Sequence, residues 1–112
     1  QWNKLIGLAE ELLRRKETEH WFNGSAIAVH NEQELSDQHG KIFRPDRIVE
    51  FDDEFHIVDY KTGAESKKHL IQVQSYMDLL MGIENKPVRG FLLYLQPFQV
   101  VEVSPNAQTS LF

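Results

Sequence analysis

The run "VRGFLLYLQ", residues 88–96, constrains the fold more than any other part of the sequence, because it is almost entirely apolar. A strand of this kind has to be covered on both faces, which is typical of a central strand in an α/β sheet. The next run, "FQVVEV" at 98–103, predicts one more strand, and the polar residues 104–112 are expected to form a surface tail. Helices are therefore expected to flank a central sheet.

Three shorter β-like runs occupy residues 25–35, 41–51 and 55–61. The polar segments "SDQHG" and "DDE" separate them, and this arrangement predicts an antiparallel meander. Pro45 lies inside the second run and indicates an edge strand, a bulge or a bend. The three runs would pair side by side and give the sheet its first three strands.

Two stretches have apolar residues at helical spacing, residues 2–17 and residues 66–82. Ser66 is a typical N-cap for the second helix, and a short helical turn is expected at 17–22. The second helix lies between the meander and the apolar run, so the strands on its two sides can pair in parallel. The predicted fold is an α/β domain of order α-β-β-β-α-β-β, with a central mixed sheet flanked by helices.

The 112 residues suit one domain, and the formal net charge of −5 argues against a free-standing, non-specific nucleic-acid binder. An enzyme whose acidic site binds cations remains compatible with that charge. The absence of cysteine excludes disulfides and thiolate metal sites. Without a membrane-spanning run or signal-peptide pattern, a cytoplasmic location and no membrane partner are expected. Because helical periodicity begins directly at Gln1, we expect residues 1–112 to be one domain of a longer protein.

The chemistry is concentrated in the second and third runs. Side chains alternate along a strand, so Asp59 and Lys61 share a face, while Tyr60 points to the other face. Asp46 lies on the neighbouring strand and can sit beside Asp59. Two carboxylates provide the oxygen ligands that Mg²⁺ prefers, and a lysine beside them can stabilise charge on a phosphate. This arrangement predicts metal-assisted hydrolysis of a phosphodiester.

These residues resemble a known family. Pro45-Asp46, twelve intervening residues and Asp59-Tyr60-Lys61 look like the signature of the PD-(D/E)xK nuclease superfamily. More narrowly, "RPDRI", "DYKTG" and "QVQSY" occur in the order typical of RecB and AddA-type nuclease domains, which belong to UvrD/Rep-like ATP-dependent helicase-nucleases. This resemblance covers residues 27–95, and it implies a restriction-endonuclease-like fold.

The resemblance also implies roles for particular residues. Asp46, Asp59 and Lys61 would be catalytic. Asp46, Asp59 and the backbone carbonyl of Tyr60 would hold Mg²⁺, with Mn²⁺ as the alternative cofactor. One departure from the family is that the first predicted helix has no histidine, although a metal-binding histidine is usual there.

A second group of residues is expected to support the site or bind DNA: Gln72, Tyr76, Glu32 and Arg47. Gln72 and Tyr76 are four residues apart and share one face of the second helix. For Glu32, a structural role and a catalytic role are both open. Arg47 is compatible with a structural role or with a phosphate contact.

The resemblance implies a DNA nuclease, the C-terminal exonuclease module of a helicase-nuclease in DNA repair or recombination. A helicase domain of the same chain would deliver single strands, and a partner subunit is compatible with this arrangement. The first alternative is a catalytically inactive module that binds DNA or docks on a subunit. The second is a stand-alone nuclease of a mobile element or defence system. In the plainest interpretation, Asp46 with Arg47 and Asp59 with Lys61 are ordinary ion pairs.

Overall fold

A computed structural model describes residues 15–105 of the chain. The elements are a short 3₁₀ helix (Glu19–Trp21), β1 (Ala28–Asn31), β2 (Leu35–Ser36), β3 (Ile42–Phe43), β4 (Arg47–Glu50), β5 (Phe55–Lys61), α1 (Lys67–Ile83), β6 (Val88–Leu95) and β7 (Phe98–Val103). Five of the strands form one sheet in the order β1-β4-β5-β6-β7. The β5–β6 pair is parallel and the other pairs are antiparallel. The predicted α/β fold with a mixed central sheet is confirmed.

The first two predicted strands were too long, because each divides into two pieces. The run 25–35 gives β1 and then β2, and the run 41–51 gives β3 and then β4. β2 and β3 pair only with each other and form a two-stranded ribbon apart from the central sheet. Glu32, with a left-handed φ of 52°, turns the chain out of β1. Pro45 lacks a backbone N–H and marks the bend between β3 and β4.

Helix α1 is the crossover that allows β5 and β6 to run parallel. Ser66 is its N-cap, as predicted, and accepts a hydrogen bond from the Lys68 N–H at 3.2 Å. Gly90 on β6 permits a close approach of the helix. A methyl group at Gly90 would lie 2.5 Å from the Met77 sulfur and 2.6 Å from a Val73 methyl. α1 is therefore held tightly against the strand next to β5.

The sheet has an apolar layer on each face. On the α1 face, the buried core includes Ile57, Val73, Met77 and Leu92. On the opposite face it contains Trp21, Val49, Val58, Phe91 and Leu93. The prediction that the run 88–96 is covered on both faces is confirmed, because residues from β6 contribute to both layers.

Two predictions fall largely beyond residues 15–105. The helix predicted at 2–17 is outside the described residues except for its last three positions, which are not helical. Most of the predicted tail, residues 106–112, is also outside them. Within the described part, no helix combines the length and apolar character needed to span a bilayer.

Candidate metal-binding site

Strand pairing brings Asp46 and Asp59 together. The antiparallel register places Arg47 opposite Val58, and one step further along it Asp46 lies opposite Asp59. The backbone N–H of Asp46 donates to Asp59 Oδ1 at 3.2 Å, and the N–H of Tyr60 donates to Asp46 Oδ2 at 2.8 Å. Asp59 is 3% exposed and Asp46 is half-buried. The Asp59 carboxylate is therefore held by the backbone of Asp46, and the Asp46 carboxylate is held by the backbone of the residue that follows Asp59.

Lys61 lies on the same face of β5 as Asp59. Its Nζ is 2.9 Å from Asp59 Oδ2 and donates to Gln72 Oε1 on α1 at 2.6 Å. An ammonium group has three N–H donors, so two fixed partners leave one donor for another ligand. The pair of contacts holds the lysine between the end of β5 and the first turns of the helix.

Tyr76 lies one helical turn beyond Gln72, and its side chain is buried. Burial raises the pKa of Tyr76 to about 12, and the negative charges of Asp59 and Asp46 contribute to that rise, whereas a hydrogen bond with Gln72 opposes it. The phenol therefore stays protonated at neutral pH and keeps an O–H donor beside the acidic pair.

The charge of the site is unbalanced toward the negative, with two carboxylates and one ammonium. Burial raises the pKa of Asp46, and the nearby Asp59 adds to this effect, although the Tyr60 N–H and the Lys61 charge oppose it. A divalent cation bound there would stabilise the ionised form of Asp46, and carboxylate oxygens are suitable ligands for Mg²⁺. In the described range, no three His, Cys, Asp or Glu side chains cluster as a metal site. The residues fit a cation held by two carboxylates, with backbone carbonyls or water supplying the other ligands.

The other predicted site residues are placed differently. The Tyr60 ring points to the opposite face, where it stacks with Phe22 at 6.4 Å, so its proposed contribution is its backbone carbonyl. Glu32 has an exposed side chain, and its backbone N–H donates to the Asp46 carbonyl at 3.0 Å. It therefore positions the chain next to Asp46 through the backbone.

Arg47 lies on the face of the sheet opposite Asp59. Its guanidinium donates to the Trp21 carbonyl at 3.0 Å and to Asn31 Oδ1 at 2.8 Å, and it lies 4.6 Å from the centre of the Phe22 ring. These contacts join the 3₁₀ segment to β1 and β4. The structure supports the structural role for Arg47 and places it away from the carboxylates.

The sequence interpretation missed a neighbouring polar residue, Lys68. It lies four residues before Gln72 and eight before Tyr76, so the helical spacing was sufficient to place it on the same face of α1. The sequence interpretation also missed the β2–β3 ribbon, whose Phe43 packs edge-on against Tyr76 with ring centres 6.3 Å apart. Nothing in the periodicity of two-residue strands would have revealed that contact.

Comparisons with known proteins identify the family. A sequence profile described as the PD-(D/E)XK nuclease superfamily matches residues 8–110 of the chain. The chain belongs to this superfamily. Members are typically metal-dependent nucleases and generally use divalent metals such as Mg²⁺.

A solved structure, named "Crystal structure of SSO0001", has a similar fold, with a TM-score of 0.53 and 21% sequence identity. The match covers 94% of the present chain and 51% of the other, so the chain spans about half the length of that protein. No curated protein matches the chain.

Proposed function

We propose that this chain is a divalent-metal-dependent DNA nuclease domain that hydrolyses phosphodiester bonds, with Asp46, Asp59 and Lys61 as its catalytic residues. The observation that carries the proposal is the arrangement at the end of β5, where Asp59 contacts both the Asp46 backbone and the Lys61 ammonium, and the Asp46 carboxylate accepts from the Tyr60 N–H. Membership of the PD-(D/E)XK superfamily supports the same chemistry. Mg²⁺ is the expected metal, with Mn²⁺ as the alternative.

Each residue has a defined task in this proposal. Asp46 and Asp59, with the Tyr60 carbonyl, hold the cation. A cation bound there supplies positive charge to the phosphodiester and promotes ionisation of the attacking water. Lys61, held by Asp59 and Gln72, directs its remaining N–H donor at the water or at a phosphate oxygen.

The acidic pair and the lysine are held rigidly, because the contacts run between backbone and side chain as well as between side chains. Gln72 accepts a hydrogen bond from the lysine, and the Tyr76 hydroxyl forms a hydrogen bond with Gln72. Such fixed donors lower the reorganisation needed when charge develops on the phosphate.

We further propose the setting in which the domain works. Residues 1–112 would form one exonuclease module at the C-terminus of an ATP-dependent helicase-nuclease used in DNA repair or recombination. Motor domains would deliver single strands, which explains how a chain of net charge −5 reaches DNA. Helicase motifs in the coding sequence before Gln1 would support this setting. A coding sequence without them would favour the stand-alone nuclease.

The catalytic proposal is tested with Asp46→Asn and Asp59→Asn in the full-length protein. Each variant should lower Mg²⁺-dependent cleavage of a labelled single strand by at least about 100-fold. Asp53→Asn, in the exposed turn before β5, is the matched control and should cleave like the parent. Cleavage by either site variant at the parental rate would overturn the assignment.

The mode of cleavage has its own test. A covalently closed circular single strand has no end, so an exonuclease leaves it intact, whereas an endonuclease linearises it. If the parent protein binds DNA but never cleaves with Mg²⁺ or Mn²⁺, the inactive module is the correct alternative. The burial of Trp21 removes one apolar patch on which subunit docking would depend.

A further inference from the structure

A groove of about 510 Å³ lies between helix α1 and the β2–β3 ribbon. Residues Lys41–Arg44 form the ribbon side of the groove. Its helix side is a stripe with the spacing of one helical face: Lys68, Ile71, Gln72, Ser75 and Tyr76. Gln72, which holds Lys61, lines the groove together with Tyr76, so the groove adjoins the candidate metal-binding site.

The charge of the groove is opposite to the charge of the whole chain. Among the described residues, three cationic side chains line it, Lys41, Arg44 and Lys68, and no acidic side chain does. Arg44 is paired with Glu34 at 2.8 Å. Within residues 15–105, Lys41 and Lys68 have no ion-pair partner. Although the chain has a net charge of −5, the groove therefore contains two lysine ammonium groups without an ion-pair partner in the described part of the chain. Such groups can bind the phosphates of a polyanionic ligand.

Two of the apolar side chains that line the groove are largely exposed to solvent. Ile42 on the ribbon is 59% exposed, and Ile71 on the helix is 56% exposed. Phe43 is half-buried, and the Lys41 ammonium lies over its ring at 5.1 Å from the ring centre. Exposed apolar and aromatic groups among cations are the surface that binds unstacked bases together with their phosphates.

We infer that this groove, which we call the ribbon–helix groove, binds one strand of single-stranded DNA and leads it to Asp46 and Asp59. Lys41 and Lys68 contact phosphates, and Ile42, Phe43 and Ile71 contact base faces. A duplex stacks its bases on each other and offers few apolar faces to these side chains, so the groove favours a single strand. The inference names a substrate path for the proposed nuclease and rests on that function only for the cleavage step.

Binding can be measured apart from cleavage, by fluorescence anisotropy of a labelled single strand in EDTA. In the full chain, Lys41→Gln and Lys68→Gln together should reduce the slope of log affinity against log salt by about 1.4, since each phosphate contact to a single strand contributes about 0.7. The same two contacts correspond to an affinity loss of about 10- to 30-fold at 0.1 M salt.

Lys67→Gln is the matched control, because Lys67 is in the same turn of α1 but does not line the groove. It should leave the slope and the affinity unchanged, while Lys68→Arg should retain the affinity that Lys68→Gln loses. A duplex of the same sequence should compete weakly, and an abasic strand should bind more weakly than the intact one. Circular dichroism melting confirms that these surface variants remain folded.

The outcomes separate the two proposals. If the Lys41 and Lys68 variants bind and cleave like the parent, the ribbon–helix groove is not the strand path, although the nuclease assignment stands. If the duplex competes as well as the single strand, the preference for single strands is wrong. If binding depends on both lysines but neither Mg²⁺ nor Mn²⁺ produces cleavage, the groove inference stands and the nuclease proposal fails.

Discussion

Strand β5 has a polar cluster at each end, and the surroundings in the two clusters shift the pKa values of their carboxyl groups in opposite directions. At its end, Asp59 and Lys61 lie with Asp46 on the face of the sheet that packs against α1, close to Gln72 and Tyr76 of that helix. At its start, His56 faces the other side. Its ring accepts a hydrogen bond from Trp21 Nε1 at 2.8 Å and contacts Glu54, and Arg89 joins Glu54 to Glu102 at 3.3 Å and 2.7 Å.

The carboxylates of the two clusters differ in pKa. The pKa of Glu54 is lowered by its hydrogen bond to His56, and the pKa of Glu102 by its hydrogen bond to Arg89. Burial, in contrast, raises the pKa of Asp46. At the start of β5 the partners favour the ionised form, which is typical of a structural network. At its end, burial disfavours the ionised form of Asp46, which is compatible with the proposed cation site.

Removing one cationic side chain from each cluster should give the largest contrast. Lys61→Met should reduce Mg²⁺-dependent cleavage by about 10²–10³-fold, because the ammonium that contacts Asp59 is lost. Arg89→Met removes the guanidinium of the other cluster and should cleave at the parental rate. Initial rates of cleavage of a labelled single strand measure both. Equal losses in the two variants would show that the clusters do not differ in function.

Breaking the structural cluster should affect stability. His56→Phe leaves the buried Trp21 N–H without its acceptor, which should lower the free energy of unfolding by about 1–3 kcal/mol. Urea unfolding measures the loss. Adding Trp21→Phe removes the unpaired donor as well, so the double variant should lose less than the sum of the two single variants. Strict additivity would mean that the hydrogen bond contributes little.

Divalent metal should stabilise the folded protein only through the cluster at the end of β5. A site that binds Mg²⁺ in the folded state should gain about 1.4 kcal/mol at ten times its dissociation constant. The melting temperature should therefore rise with Mg²⁺ in the parent and in Asp53→Asn, but not in Asp59→Asn. Sodium chloride at matched ionic strength corrects for screening. A rise that persists in Asp59→Asn would place the cation elsewhere.

The smallest expected difference between the two clusters is in how their contributions to stability depend on pH in the acid range. The lowered pKa values of Glu54 and Glu102 mean that their contribution to stability is present above the ordinary value of 4.5 and is lost as the pH falls below it. The raised pKa of Asp46 acts in the opposite sense, since protonation removes a buried charge. In Arg89→Met, the free energy of unfolding should therefore fall less on acidification than in the parent, by at most about 1 kcal/mol. In Asp46→Asn it should fall more than in the parent. Thermal melts across this range test both signs.

The sequence predicted the shared face of Asp59 and Lys61 because alternation along a strand is fixed by backbone geometry. It also predicted the approach of Asp46, since a short polar turn makes the second and third runs neighbours. The same alternation places Arg47 on the face opposite Asp46, so its separation from the site could have been read directly from the sequence.

Other features of the structure could not be predicted from the sequence pattern. A two-residue strand such as β2 or β3 is too short to show a period, so the ribbon was hidden inside two longer predicted strands. The groove depends on how that ribbon lies against α1, which is a tertiary contact. The pairing of His56 with Trp21 joins positions 35 residues apart, and no spacing rule connects them.

The candidate site residues are close together in the sequence, and this has a consequence for how the site can be passed on during evolution. Asp46, Asp59, Lys61, Gln72 and Tyr76 all belong to one uninterrupted stretch made of a hairpin and the helix that follows it. Gene fusion at either end of the chain would leave their relative positions intact, whereas an insertion after Lys61 would separate the lysine from the glutamine that holds it. If the proposed nuclease function holds, a site encoded so compactly would move as one piece from one protein architecture to another, and a single small change within that stretch would disable it.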